Sequence, residues 1–392
     1  MTHKNAHGAG TIRKRADGRW EARFTAGFDP DTGKQIQKSI YGKTQKEVRE
    51  KLSQTIVEID TGTYIESTRD TVSDWLDLWI ETYVKHSVKP YTLDAYQRIC
   101  DNYIKPALGR FRLSALTAPQ IQRFYNSLLA EKNLSPKTVR NIHGILHRAL
   151  EQAVKLRMLR YNPTDLCDLP KVRRKEIKAM EQEDITAFLT YIKGNRFELL
   201  YQVTLFTGMR QGEVLGLTWE CVDFEHNTLY INKQLQKTQK VGGEYALVPT
   251  KNSRSRIIIV APSVMELLKI QKDRQLQMQL LVGQEWRNDW SLVFTNELGG
   301  PLAHCTVYKD FKAVVRSIGL DHERFHDLRH SYAVASIESG DDIKTVQSNL
   351  GHATASFTLD VYGHVSQKMR QQSADRMEQF IQKVSKDCEK SH

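Results

Sequence analysis

The sequence predicts a mostly α protein with small β-sheets, and three observations lead there. Residues 1–66 show period-two apolar alternation followed by one capped helical stripe. Residues 67–168 show four apolar stripes at helical spacing, three of them behind a helix-start signal. Residues 179–392, entered through a basic stretch at 169–178, mix helical patterns with a strand-rich section. The expected layout is an N-terminal three-stranded sheet plus helix, an all-helical domain, a basic linker and a mixed α+β domain.

In the first segment Trp20, Ala22 and Phe24 alternate with Glu21, Arg23 and Thr25, the pattern of a half-buried strand. A turn at Asp29-Pro30-Asp31-Thr32-Gly33 leads to a second alternation around Ile36, Lys38 and Ile40. Thr44-Gln45-Lys46-Glu47 is a capping box, opening a helix with the stripe Val48, Leu52, Ile56 and Ile59 that Gly62 should end. Thr71 and Asp74 start the next helix, with Val72, Leu76, Trp79 and Tyr83 facing inward. Tyr96, Ile99 and Tyr103 mark a second before Pro106, and Thr117 with Gln120 starts a third carrying Ile121, Phe124 and Leu128. Ser135-Pro136 starts a fourth, with Val139, Ile142, Leu146, Ala149 and Ala153 at helical spacing. His143 and His147 lie four apart on it, but no Glu follows His143, so the metalloprotease pattern fails and packing is the expected role. Past the linker the expectation is helices, then strands around Leu229–Leu235 and Arg256–Val260, then helices to the end.

At 392 residues the chain is long enough for two or three domains at about 150 residues each. Lys plus Arg (57) exceed Asp plus Glu (46), and the net charge of +11 favours a polyanionic partner, nucleic acid before acidic membrane. The candidate DNA-contacting residues are Arg13, Lys14, Arg15, Arg19 and Arg23 on the strand-rich start, and Lys171, Arg173, Arg174 and Lys175 in the linker. No apolar run reaches membrane-spanning length, and Met1-Thr2-His3-Lys4-Asn5 lacks the apolar core of a signal peptide. Five scattered cysteines without a CxxC fit reduced thiols, so a bacterial cytoplasm, with nucleoid association on DNA, is the expected location.

The chemistry-bearing residues lie in the last domain. Arg210 follows a Gly turn at the start of a helix, and Glu213, three residues on, shares its face and can orient the guanidinium. Lys251 follows Pro249-Thr250 in a hairpin before the strand Arg256–Val260. His326 and Arg329 are three apart on one helical face, His352 follows Leu350-Gly351 at a helix end, and Tyr362 comes ten residues later. Singly each is ordinary, since a lone Arg or Lys is most often a solvated charge.

In order, they resemble the tyrosine recombinases, the integrase family of site-specific DNA recombinases. The match runs through Arg210, Lys251, the box His326-Asp327-Leu328-Arg329-His330-Ser331, then Leu350-Gly351-His352 and Tyr362. The helical domain resembles that family's core-binding domain. The basic strand–helix start resembles the arm-site-binding domain of phage, conjugative and transposable-element integrases. The resemblance implies a mobile-element integrase in which Tyr362 forms a 3′-phosphotyrosine and strands exchange through a Holliday junction. It also implies double-stranded DNA with core and arm-type sites, a homotetramer on that DNA, and an accessory excisionase or DNA-bending protein.

The physical logic agrees. A phenol of ordinary pKa about 10 must act near neutrality, and negative charge on the phosphorane must be stabilised. Arg210 and Arg329 suit the non-bridging oxygens. His352 supplies a further hydrogen bond, His326 binds phosphate and takes part in proton transfer, and Lys251 is the general acid for the departing 5′ oxygen. Two arginines and a lysine require no divalent metal and no other cofactor, and there is no GxxxxGK[ST] for ATP. Met369, Met377, Phe380, Ile381 and Val384 form a C-terminal stripe suited to docking on a neighbouring subunit. The rival readings are a type IB topoisomerase-like enzyme, a non-catalytic DNA-binding regulator and a metal-dependent nuclease.

Overall fold

The computed structural model describes residues 10–28, 32–61, 69–172, 179–238, 243–250, 255–351, 371, 374–375 and 377–382. The chain divides into two compact units, Met1–Arg173 and Arg174–His392.

The first unit opens with an antiparallel sheet of β1 (Thr11–Lys14), β2 (Trp20–Phe28) and β3 (Gln35–Gly42), in that spatial order, followed by α1 (Gln45–Asp60). Alternation puts Ala22 and Phe24 on the face that α1 covers with Val48 and Leu52, and these four residues are buried together. Thr44 caps α1 by accepting from the Glu47 amide, but the Glu47 carboxylate reaches the Lys43 amide and not the cap residue's own. The helix stops at Asp60 with Thr61 as its cap, before Gly62, which lies outside the described residues together with Asp29, Pro30 and Asp31 of the predicted turn.

The other sheet face corrects the expectation for Glu21. The alternation marks it solvent-facing, yet it is 1% exposed. Its carboxylate accepts from Arg13 Nε at 2.7 Å, Arg23 Nε at 3.3 Å and Ser39 Oγ at 2.9 Å. The Tyr41 hydroxyl donates to the same carboxylate at 3.4 Å, so Glu21 is ringed by polar groups that satisfy its charge.

The helical part follows as α2 (Val72–Trp79), α3 (Pro90–Ile99), α4 (Lys105–Leu108), α5 (Ala118–Ala130) and α6 (Pro136–Lys155). Thr71 and Asp74 form the predicted reciprocal cap, as do Thr117 and Gln120, and Ser135 caps α6. Two π-helical turns were not expected. Ile80–Val84 continues α2, and its wider winding moves the inward position from Tyr83, which is exposed, to Val84, which is buried. Cys100–Ile104 joins α3 to α4, so the helix runs through Pro106 to Leu108, and Cys100, Ile104 and Leu108 are buried where Tyr96, Ile99 and Tyr103 are only partly so. The core is tied across helices by Trp75 Nε1, which donates to the Ala149 carbonyl at 2.9 Å. Leu169 still packs on this core, and Arg140 Nε donates to the Pro170 carbonyl.

The second unit contains α7 (Gln182–Tyr191), α8 (Glu198–Thr207), α9 (Gln211–Leu215), β4 (Val222–Asp223), β5 (Thr228–Ile231), β6 (Lys233–Lys237), β7 (Tyr245–Pro249), β8 (Arg256–Ile259), α10 (Pro262–Val282), α11 (His304–Ser317), α12 (Asp327–Glu338) and α13 (Ile343–Leu350). The strands form an antiparallel sheet ordered β4-β5-β8 and a β6-β7 hairpin. Helix α8 is the central one: Leu199, Leu200, Tyr201, Val203, Thr204, Leu205 and Thr207 are buried, and only the narrow face of Glu198, Gln202 and Phe206 is open to solvent. It packs on both α10 and α12, while α9 lies on β6 and α13 on β8. These contacts bring the ends of α8, α9, α12 and α13 to one place.

Candidate active site

Helix α8 stops at Gly208, whose φ of +63° only glycine adopts cheaply; a Cβ there would also lie 2.5 Å from the Tyr332 ring and 2.8 Å from Leu350. That tight end lets Arg210 open α9 as its cap. Glu213 accepts from the Arg210 backbone amide at 3.0 Å and from Arg210 Nη1 at 2.6 Å, so the orienting contact expected from the spacing is present. Helix α12 opens on His326 and buries Arg329, which is 1% exposed. Arg329 Nη1 donates to the Gly208 carbonyl at 2.7 Å and Nη2 to the Leu350 carbonyl. Helix α13 ends at Leu350 with Gly351 in the left-handed region, and Arg210 Nη2 reaches the Gly351 carbonyl at 3.4 Å. The structure thus gathers Arg210, Glu213, His326 and Arg329. Lys251, His352 and Tyr362 lie outside the described residues; Lys251 directly follows the buried Thr250 after β7, and His352 directly follows Gly351.

The electrostatics suit an anion. Burial alone would raise the Glu213 pKa, but the hydrogen bond and charge of Arg256, then the charge of Arg210, bring it down to about 2. Glu213 therefore stays ionised and holds its arginines at any working pH. The rings of His326 and His330 meet edge-to-face at 4.9 Å. Loss of water from the protein side of the His326 ring, followed by the charges of His330, Arg329 and Arg210, lowers its pKa to about 4, so it is neutral near pH 7. A neutral imidazole can take a proton or donate to a phosphate.

Solvent still reaches His326 and screens it, so the acid sensitivity of this region falls on His330, which is 5% exposed. Burial first, with Arg324 and Arg329 adding to it against Asp327, lowers its pKa from 6.5 to about 4. The unfolded chain then binds a proton that the folded chain refuses, so stability drops as pH falls from 6.5 to about 4 and levels off below. The expected loss is on the order of 3 kcal/mol. Urea midpoints of the wild type and His330→Asn across that window check it: the wild type should lose more, and parallel curves would refute the assignment.

The other candidates are dispersed. On the N-terminal sheet, Arg13 and Arg23 converge on Glu21, with Arg15 at 4.0 Å from the same carboxylate and over the Tyr41 ring at 5.4 Å. Arg19 instead pairs with Asp17 at 2.8 Å, and Lys14 is exposed. Lys171 is exposed, and Arg173, Arg174 and Lys175 lie outside the described residues. His143 bonds the Tyr125 hydroxyl at 3.0 Å and His147 bonds Asp165 at 2.9 Å. Met377, Phe380 and Ile381 are 59%, 62% and 50% exposed on a helical stretch, while Met369 and Val384 lie outside the described residues.

Sequence reasoning missed two residues. Glu21 had a signal, an acid on the same sheet face as several arginines. Arg256 had none beyond its place as the first residue of an apolar strand, yet it is bound bidentately to Glu213, at 2.7 Å through Nη2 and 3.1 Å through Nη1.

Comparison with known proteins places the chain in a family. Residues 175–369 match the phage integrase family, and residues 71–129 match the N-terminal SAM-like domain of phage integrases. The chain is 31% identical over 370 residues to a protein named tyrosine recombinase XerC-like from Caldanaerobacter subterraneus subsp. tengcongensis, covering 90% of this chain and 94% of that one. It is 26% identical to the ICEBs1 integrase of Bacillus subtilis, covering 95% of this chain and all of that one (100%). Its fold is similar to the Tn1549 transposon integrase, with TM-score 0.66, 21% identity and 79% of this chain and 99% of that chain covered. It is also similar to a lambda integrase solved as a dimer on a core site, with TM-score 0.57, 18% identity and 92% and 96% covered. The chain belongs to the phage integrase family, and it is a site-specific DNA recombinase of the tyrosine recombinase type.

Proposed function

We propose that this recombinase is the integrase and excision enzyme of a mobile genetic element, and that it cuts double-stranded DNA with Tyr362. The observation that carries the residue assignment is the meeting of Arg210, Arg329 and the carbonyl end of α13, from which the chain continues directly to His352. Arg210 and Arg329 bind the non-bridging oxygens of the scissile phosphate, exchanging their contacts to backbone carbonyls for stronger charge-assisted ones. The phenolic oxygen of Tyr362 attacks phosphorus as its proton passes to neutral His326. The bond from phosphorus to the 5′ oxygen breaks, Lys251 protonates that oxygen, and His352 steadies the phosphorane. The product is a 3′-phosphotyrosine and a free 5′ hydroxyl. A 5′ hydroxyl from a partner duplex then attacks the phosphotyrosine, restoring the phenol and joining strands through a Holliday junction. A lambda integrase tetramer has been solved on such a junction, and the same assembly is proposed here, with the C-terminal stripe docking between subunits.

Three parts divide the DNA: residues 1–66 take an arm-type site, 67–168 the core site and 179–392 the chemistry, with the basic 169–178 segment along phosphates. Glu21 then sets the geometry of Arg13 and Arg23 on the arm-binding face. Glu21→Gln should strengthen binding to random duplex, by one unit of charge, while weakening discrimination for the element's own ends roughly tenfold. Fluorescence anisotropy on both duplexes checks it, and an unchanged ratio would remove Glu21 from recognition.

The decisive test is capture on a duplex nicked near the cleavage site, run in EDTA. The expected result is a covalent protein–DNA adduct whose formation the chelator does not slow. A DNA-binding regulator gives no adduct, and a metal-dependent nuclease gives chelator-sensitive cleavage without one. Relaxation of supercoils without joining two sites would favour the topoisomerase-like reading.

A further inference from the structure

We infer that Arg256 is a positioning residue for the recombination reaction: it locks the Arg210–Glu213 pair to the end of α13, so that the phosphate clamp and the backbone leading to His352 move as one piece. The inference rests on the roles proposed above for Arg210 and Arg329.

Three successive carbonyls at the end of α13 each receive a guanidinium: Asn349 from Arg256 Nε at 2.6 Å, Leu350 from Arg329 and Gly351 from Arg210 at 3.4 Å. A helix C-terminus leaves its last carbonyls without intrahelical donors and carries negative charge, so cations there are favoured. The three arginines are not equivalent, however. Arg210 keeps 26% of its side chain exposed, and Arg329, though buried, spends its Nη1 and Nη2 on backbone carbonyls that a phosphate can replace. Arg256 keeps 8%, and its Nε, Nη1 and Nη2 are all committed, to Asn349 and to both oxygens of Glu213.

The same carboxylate holds Arg210 from its other side, so Glu213 is a joint between the two guanidiniums. The turn at Gly351 also sits directly on Arg256: a Cβ there would lie 3.1 Å from Cδ and 3.2 Å from Nη1. When a phosphate draws donors from Arg210 and Arg329, two of the three caps on α13 loosen. Arg256 is the cap that remains. It keeps the helix end, as far as Gly351, in register with Arg210.

A buried ion pair that only supports folding is the competing explanation. Arg256→Lys separates the two, because lysine keeps a positive charge beside Glu213 but cannot span from the carboxylate to the Asn349 carbonyl with a planar fork. The readout is the single-turnover rate of adduct formation at saturating nicked duplex bearing the element's own end. It is measured with an ordinary scissile phosphate and with a neutral methylphosphonate, which has lost the charged oxygen that the clamp serves. Positioning predicts that the rate on phosphate falls about a hundredfold, that DNA affinity is nearly unchanged, and that the methylphosphonate rate falls far less.

Equal losses on both substrates would assign Arg256 to folding alone, and an unchanged phosphate rate would overturn the inference outright. If Arg256→Lys does not fold, Arg256→Gln, whose amide can still donate to the Asn349 carbonyl, is read by the same ratio. A wild type that forms no adduct would sink the cleavage reading itself, a result distinct from a variant that matches an active wild type.

Discussion

Tyr362→Phe should abolish every covalent protein–DNA product while leaving binding to a single site intact. Removing one oxygen takes away the only atom that can bond to phosphorus in the proposed step, so the loss is complete where removal of a stabilising group would be partial. The informative control is Tyr332, a tyrosine already beside the arginines. Its ring packs on Gly208, and its hydroxyl accepts from Asn349 Nδ2 at 3.3 Å, an arrangement that holds it as part of the framework. Tyr201 is excluded as a nucleophile by burial, which raises its pKa, and by its bond to Asp310 at 2.7 Å. Tyr332→Phe should therefore still form the adduct on nicked duplex at a rate close to wild type. Adduct formed by Tyr362→Phe and lost in Tyr332→Phe would transfer the nucleophile to α12 and end the present assignment.

What could be read from the sequence differs between kinds of feature. Helix starts were legible because a cap is local: Thr71 with Asp74, Thr117 with Gln120 and Ser135 with Pro136 carry their geometry within four residues. The Arg210–Glu213 contact was legible for the same reason. The π-helical turns were not, because an extra residue in a turn leaves the apolar count almost unchanged; the Lys85 amide bonding the Ile80 carbonyl at 2.9 Å and the burial of Val84 over Tyr83 reveal the first of them. Pro106 misled in a related way. It lies inside a continuous helical run, just after the Cys100–Ile104 turn, where the change from π to α bonding lets the helix pass a residue without an amide. Glu21 and Arg256 depend on partners brought from distant positions, Ser39 in one case and Asn349 in the other. No local pattern encodes those meetings. The convergence at the ends of α8, α9, α12 and α13 was anticipated through the resemblance alone; spacing along the chain gives no route from Arg210 to Arg329.

Arg329 carries the other large expectation, and it has two separable parts. The side chain is 1% exposed, and it donates to the Gly208 and Leu350 carbonyls, joining the end of α8 to the end of α13. Arg329→Ala strands those acceptors, so it should destabilise the fold by about 1–3 kcal/mol for each buried group left without a donor. Catalysis should suffer much more. A guanidinium that meets phosphoryl charge in the transition state is worth about 10³–10⁵ in rate, so adduct formation should drop by that factor at saturating DNA. Arg329→Lys divides the two effects: its ammonium restores charge and fills most of the space, yet cannot bond two oxygens in one plane. The lysine variant should therefore regain much of the urea midpoint while its adduct rate stays at least about a hundredfold below wild type. A lysine variant that cleaves within tenfold of wild type would reduce Arg329 to a structural brace and leave Arg210 to hold the phosphate alone.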